Sequence, residues 1–181
     1  MWELASTALK PLRFISLFST GLLAGLLSDF MFFVTPALAT LPGPSFVETT
    51  KAIDRQFFDP IPWVYTVVNF SILFVLLITI RQWRTLPFIL TAIALVCAVV
   101  ATGSTLAINV PINIDVINNW SVQNPPANWA QVRDTWDQAN TFRAILELVA
   151  FACQLVAVLL PSRFAVTAPQ QATIGRVQTA A

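Results

Sequence analysis

Long apolar runs separated by short polar stretches dominate the chain. Four of them approach the roughly 20 residues that an α-helix needs to cross a bilayer. They cover about residues 14–36, 62–80, 86–108 and 143–160. The first follows Lys10 and Arg13 and carries Gly21 and Gly25 four apart, a spacing that lets a neighbouring helix approach closely. It ends near Ala37-Leu38-Ala39, which resembles a signal-peptide cleavage site. The run exceeds the roughly 7–15 residues of a signal core, however, and Asp29 interrupts it, so a retained span fits better. Residues 40–62 turn polar, and Phe46, Val47, Ile53 and Phe57 mark a short amphipathic helix on the surface or over the bundle. Asn69 lies near the middle of the second run. Arg81 and Arg84 close that run within a few residues of the third, which makes these two helices antiparallel neighbours.

The fourth helix is expected to start at Trp129, because Pro125-Pro126 cannot continue a helix backwards and Asn128 with Gln131 has the spacing of a capping box. It should run on to the stop at Pro161. Trp129, Arg133, Trp136, Asn140, Arg143 and Glu147 follow at alternating steps of four and three, and so fall within an arc of about 80°. One face is therefore aromatic and charged, and Gln154 extends it deeper. The third run is expected to end at Asn109-Val110-Pro111-Ile112-Asn113, where Pro111 frees a carbonyl that the two asparagines, or a ligand, could serve.

Composition supports this layout. Of 181 residues, 56% are hydrophobic and 10% charged, against about 25% charged in soluble domains, so the fold class is an all-α integral membrane four-helix bundle. It should form one domain over residues 1–165, with a disordered cytoplasmic tail over 166–181. Lys10, Arg13, Arg81, Arg84, Arg163 and Arg176 flank one side of the spans. Lys51, Arg55, Arg133 and Arg143 lie on the other, among most of the acids. The positive-inside rule then places both termini in the cytoplasm of a multi-pass cell-membrane protein. A net charge of +1 and the lack of any basic, aromatic-interleaved run exclude nucleic acid as a partner. The expected partners are membrane lipid and a small planar hydrophobic molecule, with oligomerisation left open.

Candidate chemistry is narrowed by what is scarce. There is no histidine, and Cys97 and Cys153 sit in apolar runs without a C-x-x-C motif, which suits core packing better than a redox centre. Carboxylates are left as the hard ligands or bases. Asp29 and Glu147 lie within apolar spans, where an ionisable side chain is costly enough to read as functional by default. Arg143 precedes Glu147 by four residues, an order that opposes the helix dipole, so a partner across the bundle is expected, and Asp29 is the candidate. The candidate set is then Glu147, Asp29 and Arg143 for catalysis, with Asn109, Asn113, Trp129, Arg133, Trp136 and Asn140 for binding. The alternatives are a polar network that only fixes helix packing and, for the tryptophans, an interface belt to which Trp63 and Trp120 belong.

The motif Asn109-Val110-Pro111-Ile112-Asn113 followed by Trp129, Arg133, Trp136, Asn140 and Arg143 resembles the N-x-P-x-N and W-x(n)-R-x-x-W-x-x-x-N-x-x-R pattern of the anthrone oxygenase-like membrane family. Gly25, Pro36-Ala37-Leu38 and the stretch from Phe46 to Asp59 look like that family's opening segment, so the resemblance covers about residues 14–160. It implies four spans and, in some relatives, oxidation of polyketide anthrones to anthraquinones by molecular oxygen without a metal or flavin cofactor. A buried carboxylate would take the substrate proton, and Arg143, Arg133 and the asparagine amides would hold the anion. The competing reading is a non-catalytic membrane subunit or module that binds a lipid, quinone or pigment in the same pocket. A transporter is disfavoured because no inverted repeat is present.

Overall fold

The computed structural model describes residues 2–57 and 60–160; the expected tail over 166–181 lies outside them. Helix α1 (Trp2–Asp29) passes through a π turn at Phe30–Val34 into α2 (Thr35–Ala39), and α3 (Gly43–Phe57) follows. Helix α4 (Pro60–Thr79) leads through a 3-10 turn at Ile80–Gln82 to α5 (Leu86–Ser104). A second π turn, Thr105–Asn109, joins α5 to α6 (Val110–Asn119), and α7 (Trp129–Leu159) is the last helix of the described residues. No strand occurs among the described residues. Four helices, over Ala8–Ala39, Pro60–Gln82, Leu86–Val116 and Trp129–Leu159, are long and apolar enough to cross a membrane. Phe14, Phe18, Phe33, Phe70 and Phe74 are exposed on their outer faces, as suits contact with lipid rather than water. The chain is a membrane protein.

The helix boundaries have local causes. Thr85 is extended ahead of α5, which carries a proline in its first turn, where a missing N–H costs nothing. Helix α7 starts at Trp129 as expected, but the capping box does not form. Asn128 makes no side-chain cap, and the Trp129 N–H bonds instead to the Pro126 carbonyl at 3.0 Å. The third apolar helix does not stop near residue 108. It absorbs Pro111 by widening: the Val110 N–H reaches back five residues to Thr105, in the π turn just ahead of the proline. The first helix repeats this device, with the Thr35 N–H bonded to the Phe30 carbonyl immediately before Pro36. A proline ring collides with the carbonyl four residues back, and a π turn moves that carbonyl aside.

The long helices pack in a ring in which each touches its sequence neighbours, and α1 closes against α7. We call the end bearing Trp129 the upper end and the end bearing Arg81 the lower. Leu23, Leu27, Tyr65, Val68, Ile72, Ala98 and Ala144 form the central core. A second cluster at the upper end joins Leu38, Phe46, Val47, Val116 and Trp120 and seats α3 over the bundle. Trp120 is therefore not an interface anchor. It is buried, its indole N–H donates to Asp115 Oδ2 at 2.9 Å, and its carbonyl accepts from Lys51 Nζ at 2.5 Å. Trp63 is exposed, as an interface residue would be.

Candidate functional site

Beneath α3 the upper half of the bundle opens into a cavity of about 200 Å³. Its walls are mostly apolar. Leu26, Leu27 and Phe30 come from the first span, Ile53 and Phe57 from α3, and Ile61, Pro62 and Tyr65 from α4. Its polar atoms come from Asp54, Tyr65, Thr105, Asn109, Asn113 and Arg143. An apolar chamber with a few convergent polar groups is the usual form of a small-molecule site. Both π turns border it, the first through Phe30 and the second through Thr105, Leu106 and Asn109.

Arg143 is held at the centre of the polar side. Its Nε and Nη2 donate to Asn140 Oδ1 at 3.2 and 2.8 Å, and Nη1 donates to Thr105 Oγ1 at 3.4 Å. The guanidinium carbon stands 5.7 Å from the centre of the Trp136 ring, within cation–π range. Trp136 is fixed in turn. Its indole N–H donates to Asn113 Oδ1 at 2.6 Å, its carbonyl accepts from Asn109 Nδ2 at 3.2 Å, and Phe30 packs against its ring. Phe57 meets Phe30 edge-on at 5.4 Å, so the aromatic wall continues from α7 to α3.

Asp54 faces this assembly from α3. It is 6% exposed, lines the cavity, and leaves Oδ2 buried without a hydrogen-bond partner. Burial pushes its carboxyl up to about 6, and the positive charge of Arg143 limits the rise. Such a group is ionised near neutral pH yet readily takes a proton.

The residues expected from the sequence divide by position. Asn109, Asn113, Trp136 and Arg143 line the cavity together. Asn140 is fully buried behind it and orients Arg143. Arg133 lies above, bonded to Asp134 at 2.9 Å and stacked over Trp129 at 5.2 Å. Trp129 packs on Phe46, and a Cβ at Gly43 would come within 3.1 Å of its ring, so this contact docks the start of α3 and does not line the site. Glu147 is fully buried one turn below Arg143 with neither carboxylate oxygen partnered, and it is not part of the cavity wall.

Asp29 corrects an expectation. It is exposed, absent from the cavity wall and makes no ion pair with Arg143. Leu23, Leu27 and Phe30 define the inward face of this helix, and a residue two positions from Leu27 points roughly the opposite way. The carboxylate that does face Arg143, Asp54, has a recognisable signature. It falls with Val47, Thr50 and Phe57 at helical spacing on the apolar side of α3, where an acid is out of place. Thr105 has one too, standing four and eight residues before Asn109 and Asn113 on one stripe.

Among the described residues no three of His, Cys, Asp or Glu stand close enough to share a metal ion. The fold and chamber define a membrane protein with four helices long and apolar enough to cross the bilayer and a largely apolar cavity in one half of its bundle. Residues 53–153 match the family described as anthrone oxygenase, and the chain belongs to that family. The matched segment is narrower than the 14–160 suggested by motif resemblance, but it opens at Ile53 and so includes Asp54 and every cavity residue except those of the first span. No curated protein and no solved structure matches the chain.

Proposed function

We propose that the cavity binds a planar phenolic or anthrone-type compound and that the protein oxidises it with molecular oxygen, with Asp54 as the base. The observation that carries this reading is a buried, unpartnered carboxylate sharing an aromatic-walled chamber with a guanidinium. An anthrone has a CH₂ flanked by two rings and conjugated to a carbonyl. Loss of one of its protons to Asp54 gives a phenolate-like anion, and that anion is what reacts with oxygen. Arg143 and the side-chain amides of Asn109 and Asn113 supply donors for the anion, and fixed donors of this kind stabilise a developing charge without reorganising. The atoms balance: one oxygen atom becomes the new carbonyl, and the other leaves as water with the two methylene hydrogens.

Glu147 and Asp29 carry no step in this scheme, because neither reaches the chamber. The ligand is a small, apolar molecule that partitions into membrane lipid. The protein acts as a single four-span domain in the cell membrane with both termini cytoplasmic, so reporter fusions at Thr85 should read cytoplasmic and those at Gln123 external. The direct test is oxygen uptake by metal-stripped, purified protein given a panel of anthrones and hydroquinones. Uptake above the uncatalysed rate that is lost in Asp54→Asn supports the reading. The absence of such uptake, with a lipid, quinone or pigment co-purifying in the cavity, would replace it with a binding module.

A further inference from the structure

Asp54 lines two cavities. The second, of about 30 Å³, lies between α2, α3, α6 and α7 and shares Phe30, Ile53, Asp54, Asn113 and Trp136 with the first. Thr50 and Arg133 belong to the smaller one alone. A buried water requires about 10–15 Å³ and two to four polar partners. Both conditions are met. Thr50 Oγ1 and Asp54 Oδ2 are buried atoms without a hydrogen-bond partner, and Asn113 and Arg133 add polar groups to the wall. Thr50 and Asp54 stand one turn apart on the same side of α3. Arg133 is half-buried and paired with the exposed Asp134, which sets it at the rim between this cavity and the upper aqueous phase.

We propose that the smaller cavity is a water site linking Asp54 to the aqueous phase at the upper end, with Thr50 as the positioning residue that holds the water. The proposal rests on Asp54 acting as the base. Substrate then occupies the larger chamber on one side of the carboxylate, and water occupies the smaller on the other. A C–H bond of the substrate breaks and its proton passes to Asp54. Asp54 hands that proton to the water, the water passes it to bulk solvent, and a solvent proton returns by the same route. The other charged and titratable groups that line the two cavities do not offer this route. Arg143 and Tyr65 stand on the substrate side, Arg133 is a permanent cation, and Lys51 on the same helix is turned to the Trp120 carbonyl.

The test is deuterium incorporation without oxygen. Full-length protein in phosphatidylcholine vesicles is incubated anaerobically with anthrone in heavy water, and the label in the methylene group is followed by mass spectrometry. The wild type should exchange faster than protein-free vesicles. Thr50→Val, which keeps the shape and removes the hydroxyl, should slow exchange about tenfold, the scale of one lost hydrogen bond. Anthrone binding should be unchanged, and Thr50→Ser should restore the rate. Should Thr50→Val no longer bind anthrone, Thr50→Ala takes its place in the same comparison. Wild-type exchange that these variants leave unaltered overturns the water site and spares the base. Oxygen uptake dependent on Asp54 without any wild-type exchange does the same. Exchange no faster than in vesicles alone, with no Asp54-dependent uptake, overturns both.

Discussion

The upper and lower halves of the bundle use polar residues in opposite ways. In the lower half Ser16 donates to Gln154 Oε1 at 2.5 Å, and Gln154 Nε2 donates to Thr20 Oγ1 at 2.7 Å. Around this chain Ala94, Ala98, Ala150 and Ala157 are buried. A Cβ at Gly21 would come within 2.8 Å of the Phe151 ring, so the helices are in close contact, and the cavity at this level is only about 10 Å³. Small residues and closed hydrogen bonds are what hold helices together in lipid. In the upper half, Asp54 Oδ2, Thr50 Oγ1, Asn109 Oδ1 and Asn140 Nδ2 are buried without partners, beside chambers that keep the helices apart. Buried polar atoms are usually satisfied, so a cluster of exceptions marks where something else binds. The lower half is a clamp, and the upper half is a chamber.

Four substitutions test that division, and the largest effect should come from Asp54→Asn. Removing a general base costs about 10²–10⁴-fold in turnover, so oxygen uptake should fall by that factor while anthrone affinity changes by no more than a few-fold. Arg143→Gln should follow, with about 10²-fold lower uptake, because it removes the charge that stabilises the anion but keeps a side chain that can bond Asn140 and Thr105. It should also alter the pH profile. With the Asp54 carboxyl at about 6, wild-type turnover should rise with pH through that value, as the ionised form is the base. Arg143 holds the value down, so its loss should move the rising limb to higher pH, against Tyr65 and Arg133 as the remaining titratable or charged neighbours. Folding responds the other way. Native Asp54 keeps a proton that an ordinary carboxyl, at 3.8, releases, so its contribution to stability is present below that value and lost as pH rises through about 6.

The two smaller effects belong to the opposite half or to α3, seated over the chamber. Gly43→Ala should press on Trp129 and loosen the docking of α3, weakening anthrone affinity several-fold in a fluorescence titration without changing the pH limb. Gln154→Leu should leave uptake at the wild-type rate. It should lower thermal stability in detergent by about 0.5–2 kcal/mol, the range of interhelical hydrogen bonds in membranes. A large loss of uptake in Gln154→Leu would mean that the two halves are not separable.

Periodicity made much of this legible. Spans of about 20 apolar residues and the stripe from Trp129 to Glu147 are local patterns, and they place Asn109, Asn113, Trp136 and Arg143 at one chamber. What periodicity does not carry is the phase of one helix relative to another. Asp29 has the apparent depth of Arg143 but the wrong face, and Asp54 reaches the chamber only because a polar connecting segment folds back over the bundle. An acid on the apolar side of α3 was the available sign, and it becomes meaningful only once that helix has a bundle beneath it.

The paired π turns have a consequence for how such a protein can vary. Each inserts roughly one residue into the helical repeat, which rotates everything beyond it by about 100° relative to an unbroken helix. The first and third spans therefore keep two independent registers on one rod. In the third span the residues below Thr105 answer to the tight packing of the lower half and those from Thr105 upward to the chamber; in the first, Leu26 and Leu27 below the turn line the chamber, whereas Thr35 and Leu38 beyond it line the smaller cavity. Since Pro36 and Pro111 are the residues that hold the turns open, the angular setting of the upper half is encoded in two ring closures. Relatives could exchange residues on either side of that joint without re-fitting the other, much as a keyed coupling lets one end of a shaft be changed while the other stays mounted.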